Sequence, residues 1–331
     1  MKKSRKFFTV LTCLTAVLLC ANIVMAGGEI KLALDCPQDV EKCATYLWSK
    51  TFSDYLVSQG LKVKLYPKDA LGGEAEKLDQ VRQGLLEISN SDLSKAGSLD
   101  PTIFGFYLPF LFQDMGHVFK TMEKTDLLGT INAGITPHGV RVLAIVPVGD
   151  MSGFLTTKKL IKSPSDFKGV RMRALDKKQA KWLETWGANA VVIPWPEIYN
   201  ALQTGVADGY LNSAFVPLLF KHTEVLKYFS DVKMAPALRV VICSEDWYKN
   251  LSGNDRIAVD AGVVQANTAI VDWTKTVEKQ SLDALKNAGM TVYVNTPAEK
   301  AQFAELIRPI YTDIVSEKIV NIFTEAAAKG K

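Results

Sequence analysis

Two arginines, Arg171 and Arg173, stand two residues apart in the segment Asp166-Phe167-Lys168-Gly169-Val170-Arg171-Met172-Arg173. Lys168-Gly169 reads as a turn entering a short strand, and the strand period of two puts both guanidinium groups on one side. Ligand crevices in open α/β sheets form beyond the carboxyl ends of the strands. A guanidinium there holds a carboxylate through two parallel hydrogen bonds. The other reading of the pair is two solvated surface arginines. No set of residues reads as a catalytic centre. The three histidines, His117, His138 and His222, show no HExxH or other short metal spacing. There is no G-x-S-x-G elbow, no G-x-x-x-x-G-K-[ST] loop and no G-x-G-x-x-G turn. Gly72-Gly73 before a helix either cradles an anion or simply turns the chain. The expectation is a binding protein, not an enzyme, with no cofactor and no metal.

The elements that would position such an arginine alternate along the chain. Ile30, Leu32 and Leu34 alternate with Lys31 and Ala33 as a half-buried strand. A helix through Ala44, Leu47, Phe52 and Leu56 follows and stops at Gly60. Leu61, Val63 and Leu65 form the next strand, closed by Pro67, and a helix runs from Glu74 to Gly84. Further strands are expected at Leu85–Ser89, Val140–Val146, Val170–Arg173, Ala190–Ile193, Val240–Cys243 and Thr291–Val294. This rhythm predicts α/β layers with a mostly parallel sheet in each domain. From Asn254 to Gly289 no proline interrupts the apolar periodicity. A helix of that length, roughly 50 Å at 1.5 Å per residue, crosses more than one domain or breaks at Gly262.

The chain opens with Lys2, Lys3, Arg5 and Lys6, an apolar run from Phe7 to Val24, and Val24-Met25-Ala26 at the cleavage position. This reads as an export signal over residues 1–26; the other reading is an uncleaved anchor helix. Cys13 follows Thr12 and Cys20 follows Leu19, poor contexts for lipid attachment. The leader carries four of the 39 basic residues and none of the 35 acidic ones, so the mature chain is near neutral. That balance gives no case for nucleic acid. The remaining roughly 300 residues exceed one core and predict two domains. In the oxidising compartment that export implies, Cys36 and Cys43 are a candidate disulfide, which requires a loop that folds Cys36 back on the following helix. The alternative is two buried thiols, and Cys243 reads as a core residue.

Several segments resemble the substrate-binding subunit of tripartite ATP-independent periplasmic (TRAP) transporters. Tyr66-Pro67, Leu71-Gly72-Gly73-Glu74 and Gly84 are similar to its first signature, and Leu108-Pro109-Phe110-Leu111-Phe112 to its second. Lys168-Gly169-Val170-Arg171-Met172-Arg173 resembles its central strand. Gly187-Ala188, Pro194, Glu197, Tyr199 and Ala201-Leu202-Gln203-Thr204-Gly205-Val206-Ala207-Asp208-Gly209 resemble its longest signature. The set occurs in order across the whole mature chain. The resemblance implies a two-lobe α/β periplasmic binding protein fold, class II-like, with a long helix spanning both lobes. The expected division is 27–149 with 238–277 as lobe I, 150–237 with 278–305 as lobe II, and 306–331 as a C-terminal helical segment.

The resemblance also implies a monomeric periplasmic receptor that closes on an organic acid and delivers it to a small and a large TRAP membrane subunit. It makes Arg173 the carboxylate anchor, with Asn212 assisting and Trp195 against the ligand. Asp35, Glu74 and Asp92 face the cleft. The chain departs from the family at Asp208-Gly209-Tyr210-Leu211-Asn212-Ser213, where Tyr210 and Leu211 replace polar residues and are read as an apolar wall. Gly149-Asp150-Met151-Ser152-Gly153-Phe154 lacks the further arginine that some relatives carry. Together these point to a monocarboxylate with an apolar or aromatic body, possibly an amino acid whose ammonium is balanced by Asp35, Glu74 or Asp92. A C4-dicarboxylate receptor and an extracytoplasmic sensor module on the same fold are the alternatives.

Overall fold

The computed structural model describes residues 28–331, so the export signal expected at 1–26, with Cys13 and Cys20, lies outside the described residues. Eleven strands occur in chain order among them: β1 (Ile30–Ala33), β2 (Val63–Tyr66), β3 (Ile88–Asp92), β4 (Val140–Met151), β5 (Gly153–Thr156), β6 (Arg171–Ala174), β7 (Asn189–Val192), β8 (Gly209–Asn212), β9 (Tyr228–Asp231), β10 (Pro236–Ser244) and β11 (Thr291–Val294). They form a five-stranded sheet, β2-β1-β3-β10-β4, and a six-stranded sheet, β11-β9-β5-β8-β6-β7. These are the two α/β lobes.

Each sheet contains one strand that runs against the others: β10 pairs antiparallel with β3 and β4, and β5 antiparallel with β8 and β9. The reason is geometric. The parallel strands of both sheets end toward the same cleft. A strand that arrives from the other lobe starts at that cleft and must run away from it. β4 passes into β5 through Ser152, and β9 passes into β10 through 232–235. The two crossings are bonded to each other: Ser152 N donates to Ala235 O at 2.7 Å and Met234 N donates to Ser152 O at 2.8 Å. A Lys233–Asp150 ion pair at 3.1 Å joins them beside these bonds.

The helix Gly253–Asn287 is continuous over 35 residues. It starts at the Ser252 cap, whose hydroxyl accepts from Asp255 N at 3.1 Å, and it does not break at Gly262. A Cβ on Gly262 would stand 3.1 Å from the Phe52 ring and 3.2 Å from Tyr55, so the glycine admits close packing on α1 (Ala44–Ser58). Its first part packs Val259, Ala266 and Ile270 with Trp48 and Phe52 over the first sheet. Its last turns carry Leu282 and Leu285 into the core of the second sheet with Tyr210 and Phe229. The C-terminal helix Glu317–Gly330 returns to the first lobe and sets Phe323 edge-on to Phe106, with centroids 5.0 Å apart.

Three strands escape the sequence reading: β5, β8 and β9. Each is four residues long and almost wholly buried, so both faces are covered and no alternation survives. The strand expected at Leu85–Ser89 begins three residues later, at Ile88. Leu85 and Leu86 donate back to Gln80 O and close the end of α2 (Glu74–Arg82), leaving Leu85 59 % exposed. The strand expected at Val240–Cys243 extends back to Pro236 and so takes in Arg239.

The crossings leave no room for added atoms. A Cβ on Gly153 would lie 2.4 Å from Ser230 O and 2.7 Å from the Phe229 ring. Gly153→Ala is expected to cost roughly 1–3 kcal/mol by overpacking. Urea denaturation with tryptophan fluorescence checks it; an unchanged midpoint would show that the crossing relaxes freely.

Candidate functional site

Arg173 sits near the carboxyl end of β6, in register with Val191 on β7 and Tyr210 on β8. The strand ends supply its surroundings. Nε donates to Ile193 O at 2.8 Å, just past β7. The guanidinium carbon lies 5.7 Å from the centroid of the Trp195 ring. The residue is 4 % exposed, yet Nη2 has no hydrogen-bond partner. Burial lowers its pKa to about 10, opposed by the charges of Asp92 and Asp176. The group remains charged at neutral pH, with a donor still to satisfy.

Arg171, its neighbour two positions back, has a structural post. It holds Asp208 with Nε at 3.1 Å and Nη2 at 2.9 Å, and Lys158 joins the same carboxylate at 2.9 Å. Burial works against the Asp208 charge, but Arg171 and Lys158 outweigh it and hold the carboxyl down to about 2. This pair ties the start of β6 to the turn before β8.

The first lobe answers with a second, half-buried guanidinium, Arg239. It stands opposite Asp92 in the β10–β3 register. Nε pairs with Asp35 at the end of β1, and Nη2 pairs with Glu74 at the first residue of α2. Nη1 lies 3.6 Å from Asp92. Burial opposes the Arg239 charge, and the three carboxylates override it and raise its pKa. Glu74 also accepts from Asp92 N at 2.6 Å, while Asp92 caps α3 (Leu93–Gly97) by accepting from Ser94 N at 2.8 Å. Lys77, buried beneath, reaches Leu34 O at 3.2 Å; burial lowers its pKa against the pull of Glu74 and Asp35. Asp35, Glu74 and Asp92 therefore gather around a cation of the chain itself. Arg239 was missed in sequence. The available signal was a lone charge inside Pro236-Ala237-Leu238-Arg239-Val240-Val241-Ile242, a run otherwise fit for the core.

Cys36 and Cys43 are joined as a disulfide, with Cα atoms 6.4 Å apart. The intervening residues form a loop folded onto the start of α1, held by Asp39, whose carboxylate accepts from Glu41 N and Lys42 N. Thr45 Oγ1 lies 3.2 Å from each sulfur and donates to Asp35 at 2.5 Å. The disulfide thus backs the carboxylate that pairs with Arg239. Cys243 is a buried free thiol in the core of the first lobe.

The expected apolar wall of Tyr210 and Leu211 is not formed as one surface. Adjacent residues of a strand face opposite ways. Leu211 packs with Phe154 and Trp186 in one core, and Tyr210 packs with Ile198 and Phe229 in another. Tyr210 is fully buried, and its hydroxyl bonds His222 Nδ1 at 3.0 Å. It supports Trp195 from below, with ring centroids 5.8 Å apart. Asn212, half-buried at the end of β8, accepts from Ser213 N at 2.9 Å. Arg173, Trp195 and Asn212 thus stand at neighbouring strand ends of one lobe.

The family model for bacterial extracellular solute-binding protein, family 7, matches residues 37–318. The chain belongs to this family. Its members here include substrate-binding proteins of TRAP transporters. The sialic acid-binding periplasmic protein SiaP of Vibrio cholerae is 27 % identical over 287 residues, 86 % of this chain and 88 % of that one. The C4-dicarboxylate-binding periplasmic protein DctP of Rhodobacter capsulatus is 26 % identical over 263 residues, 78 % of this chain and 77 % of that one. The solved periplasmic ectoine-binding protein of the Halomonas elongata TeaABC TRAP transporter superposes with a TM-score of 0.83 at 21 % identity, covering 91 % of this chain and 99 % of that one. No helix among the described residues is long and apolar enough to cross a membrane.

Two measurements follow from this site. His222 is caged by Trp195, Tyr199, Tyr210 and Phe220, and burial lowers its pKa to about 4. Between pH 6.5 and 4 the unfolded chain binds a proton there that the folded chain refuses. Stability should therefore fall as pH drops through that window, by roughly 3 kcal/mol at the full shift. In His222→Gln the wild-type-minus-variant stability difference should shrink across the same range; a pH-independent difference would refute the assignment. For Cys36 and Cys43, intact mass after alkylation under denaturing conditions should show one modified thiol, Cys243, without reductant and three with it. Three without reductant would mean the pair is free.

Proposed function

We propose that this chain is the periplasmic receptor of a TRAP transporter and that it captures a small organic acid by one carboxylate on Arg173. The observation that carries this reading is the Arg173 guanidinium. It is charged, buried and oriented by Ile193 O, and it keeps an unmet donor at Nη2. A buried donor without a partner costs about 1–3 kcal/mol, and a carboxylate arriving at the cleft removes that cost. Asn212 assists at the next strand end, and the Trp195 face lies against an apolar body. The lobes close about the paired crossings at Ser152 and Ala235, and the closed form is presented to the membrane subunits.

The ligand in this reading carries a single carboxylate. Arg239 of the first lobe is already surrounded by Asp35, Glu74 and Asp92. A second carboxylate would have to displace one of these acids from it. For the same reason an amino acid's ammonium is served by Asp92, the acid held least closely by Arg239, rather than by Asp35 or Glu74. The C4-dicarboxylate reading draws support from the Rhodobacter capsulatus relative, and the same titration separates the two.

The test is calorimetric titration with phenylpyruvate, 4-methyl-2-oxopentanoate, phenylalanine and succinate, on protein unfolded and refolded to remove carried ligand. Removing one member of a buried charge pair costs roughly 3–5 kcal/mol, so Arg173→Ala should weaken binding at least about a hundredfold. Arg173→Lys should fail similarly, because an ammonium lacks the planar fork. Near-normal affinity in Arg173→Ala would overturn the anchor, and tight succinate binding with silence from the others would overturn the single-carboxylate reading.

A further inference from the structure

One buried titratable group lies behind the proposed contacts and is used by none of them. His222, 5 % exposed, opens the short helical turn His222–Glu224, which follows β8 by way of the helix Val216–Leu219. Its carbonyl accepts from Leu226 N at 2.9 Å, which ties its backbone into the turn. Glu224 of the same turn accepts from the Tyr199 hydroxyl at 2.7 Å. Tyr199 lies on the helix Ile198–Gln203, which continues directly from the turn Trp195–Glu197. The segment that carries His222 is thus bonded to the segment that carries Trp195.

The side chains repeat the connection. The imidazole centroid lies 5.5 Å from that of Trp195, 5.6 Å from Tyr210 and 5.9 Å from Phe220. Nδ1 shares a hydrogen bond with the Tyr210 hydroxyl at 3.0 Å. Phe220 also meets the Trp195 ring, at 78° with centroids 5.1 Å apart. Tyr210 is the register partner of Arg173, whose guanidinium carbon lies 5.7 Å from the Trp195 centroid. Arg173, Trp195, His222 and Tyr210 therefore form a closed circuit in which each neighbours the next. A half-buried indole on a three-residue turn would otherwise keep two free side-chain torsions, and ordering them on binding costs affinity. Packing on His222, Tyr210 and Phe220 removes that cost in advance. A phenyl ring would fill the place of the imidazole but would leave the buried Tyr210 hydroxyl without this partner. Burial lowers the His222 pKa to about 4, so at neutral pH no second cation stands beside Trp195 to compete with Arg173.

We propose that His222 is a positioning residue of the ligand site: bonded to Tyr210 and packed on Trp195, it fixes the indole beside the Arg173 guanidinium and so sets where the body of an acid held there lies. This rests on the acid-receptor reading above and adds to it a residue that acts on the ligand only through Trp195.

The experiment is a double-mutant cycle read by calorimetric titration on refolded, ligand-free protein. The probe is whichever of phenylpyruvate, 4-methyl-2-oxopentanoate, phenylalanine and succinate binds wild type most tightly. Trp195→Ala should weaken binding about tenfold, and His222→Ala about three- to tenfold. In the Trp195→Ala background His222→Ala should cost less than about twofold more, because the ring through which it acts is gone. Urea denaturation of the same four proteins separates this from a purely structural role: a loss of stability should appear in both backgrounds, a loss of affinity only where Trp195 is present. Tyr210→Phe removes only the hydroxyl bonded to His222 and runs the same cycle; it decides the question where His222→Ala does not fold, with about two- to fivefold weaker binding expected in the presence of Trp195 alone. Wild-type affinity in the folded variant, or an equal loss with and without Trp195, overturns the positioning role and leaves the Arg173 anchor standing. Failure of every acid to bind wild type overturns the acid-receptor reading and this inference with it.

Discussion

A guanidinium removed from water must be met by hydrogen bonds and opposite charge, and the cleft meets that requirement differently on its two sides. Arg239 is met by the opposite charge of three acids. Its carboxylates come from the end of β1, the start of α2 and the end of β3, so one side chain ties together three segments. Arg173 is left incomplete, with one nitrogen bonded to Ile193 O and another without a partner. The first arrangement makes the floor of one lobe rigid. The second leaves a buried donor that an acceptor would satisfy. Asp92 acts on both arginines and so couples the rigid side to the incomplete one.

The topology places these groups where they are needed. Because parallel strands in both sheets end at the cleft, the polar residues that follow each strand accumulate there from distant stretches of chain. Asp35, Asp92, Arg173, Trp195 and Asn212 all lie at such ends or just beyond them. The crossings β4–β5 and β9–β10 are short, mutually hydrogen-bonded and joined by the Lys233–Asp150 pair. Such a connection permits a concerted bend and resists independent drift of the lobes. The long helix passes behind both, packed on each core, and limits the motion further. In the proposed receptor, opening and closing is a motion between these two bodies.

Much of this was legible in residue order. The alternation of strands and helices, the uninterrupted helical span after Asn254 and the Arg171–Arg173 strand are local patterns, and local chemistry suffices to read them; the placing of the acids at the cleft came from the family resemblance. Tyr210 and Leu211 were misread as partners because a strand period of two separates neighbours onto opposite faces, a rule that bites only once β8 is known to be a strand. β5, β8 and β9 gave no alternation because both their faces are covered. Arg239 lay unnoticed in an apolar run, since its meaning depends on acids that are 147 to 204 residues away in the chain.

The sequence by itself determined the class of fold, the family and the candidate anchor, because periodicity, caps and short motifs are properties of neighbouring residues. The tertiary structure alone decided which charges are spent and which are open. Asp35, Glu74 and Asp92 surround Arg239, Arg171 is taken by Asp208, and Arg173 and Trp182 keep buried donors without acceptors. The physical reason is that a side chain's charge and hydrogen-bonding capacity are written in its type, whereas its remaining capacity depends on what the fold brings within about 3 Å of it.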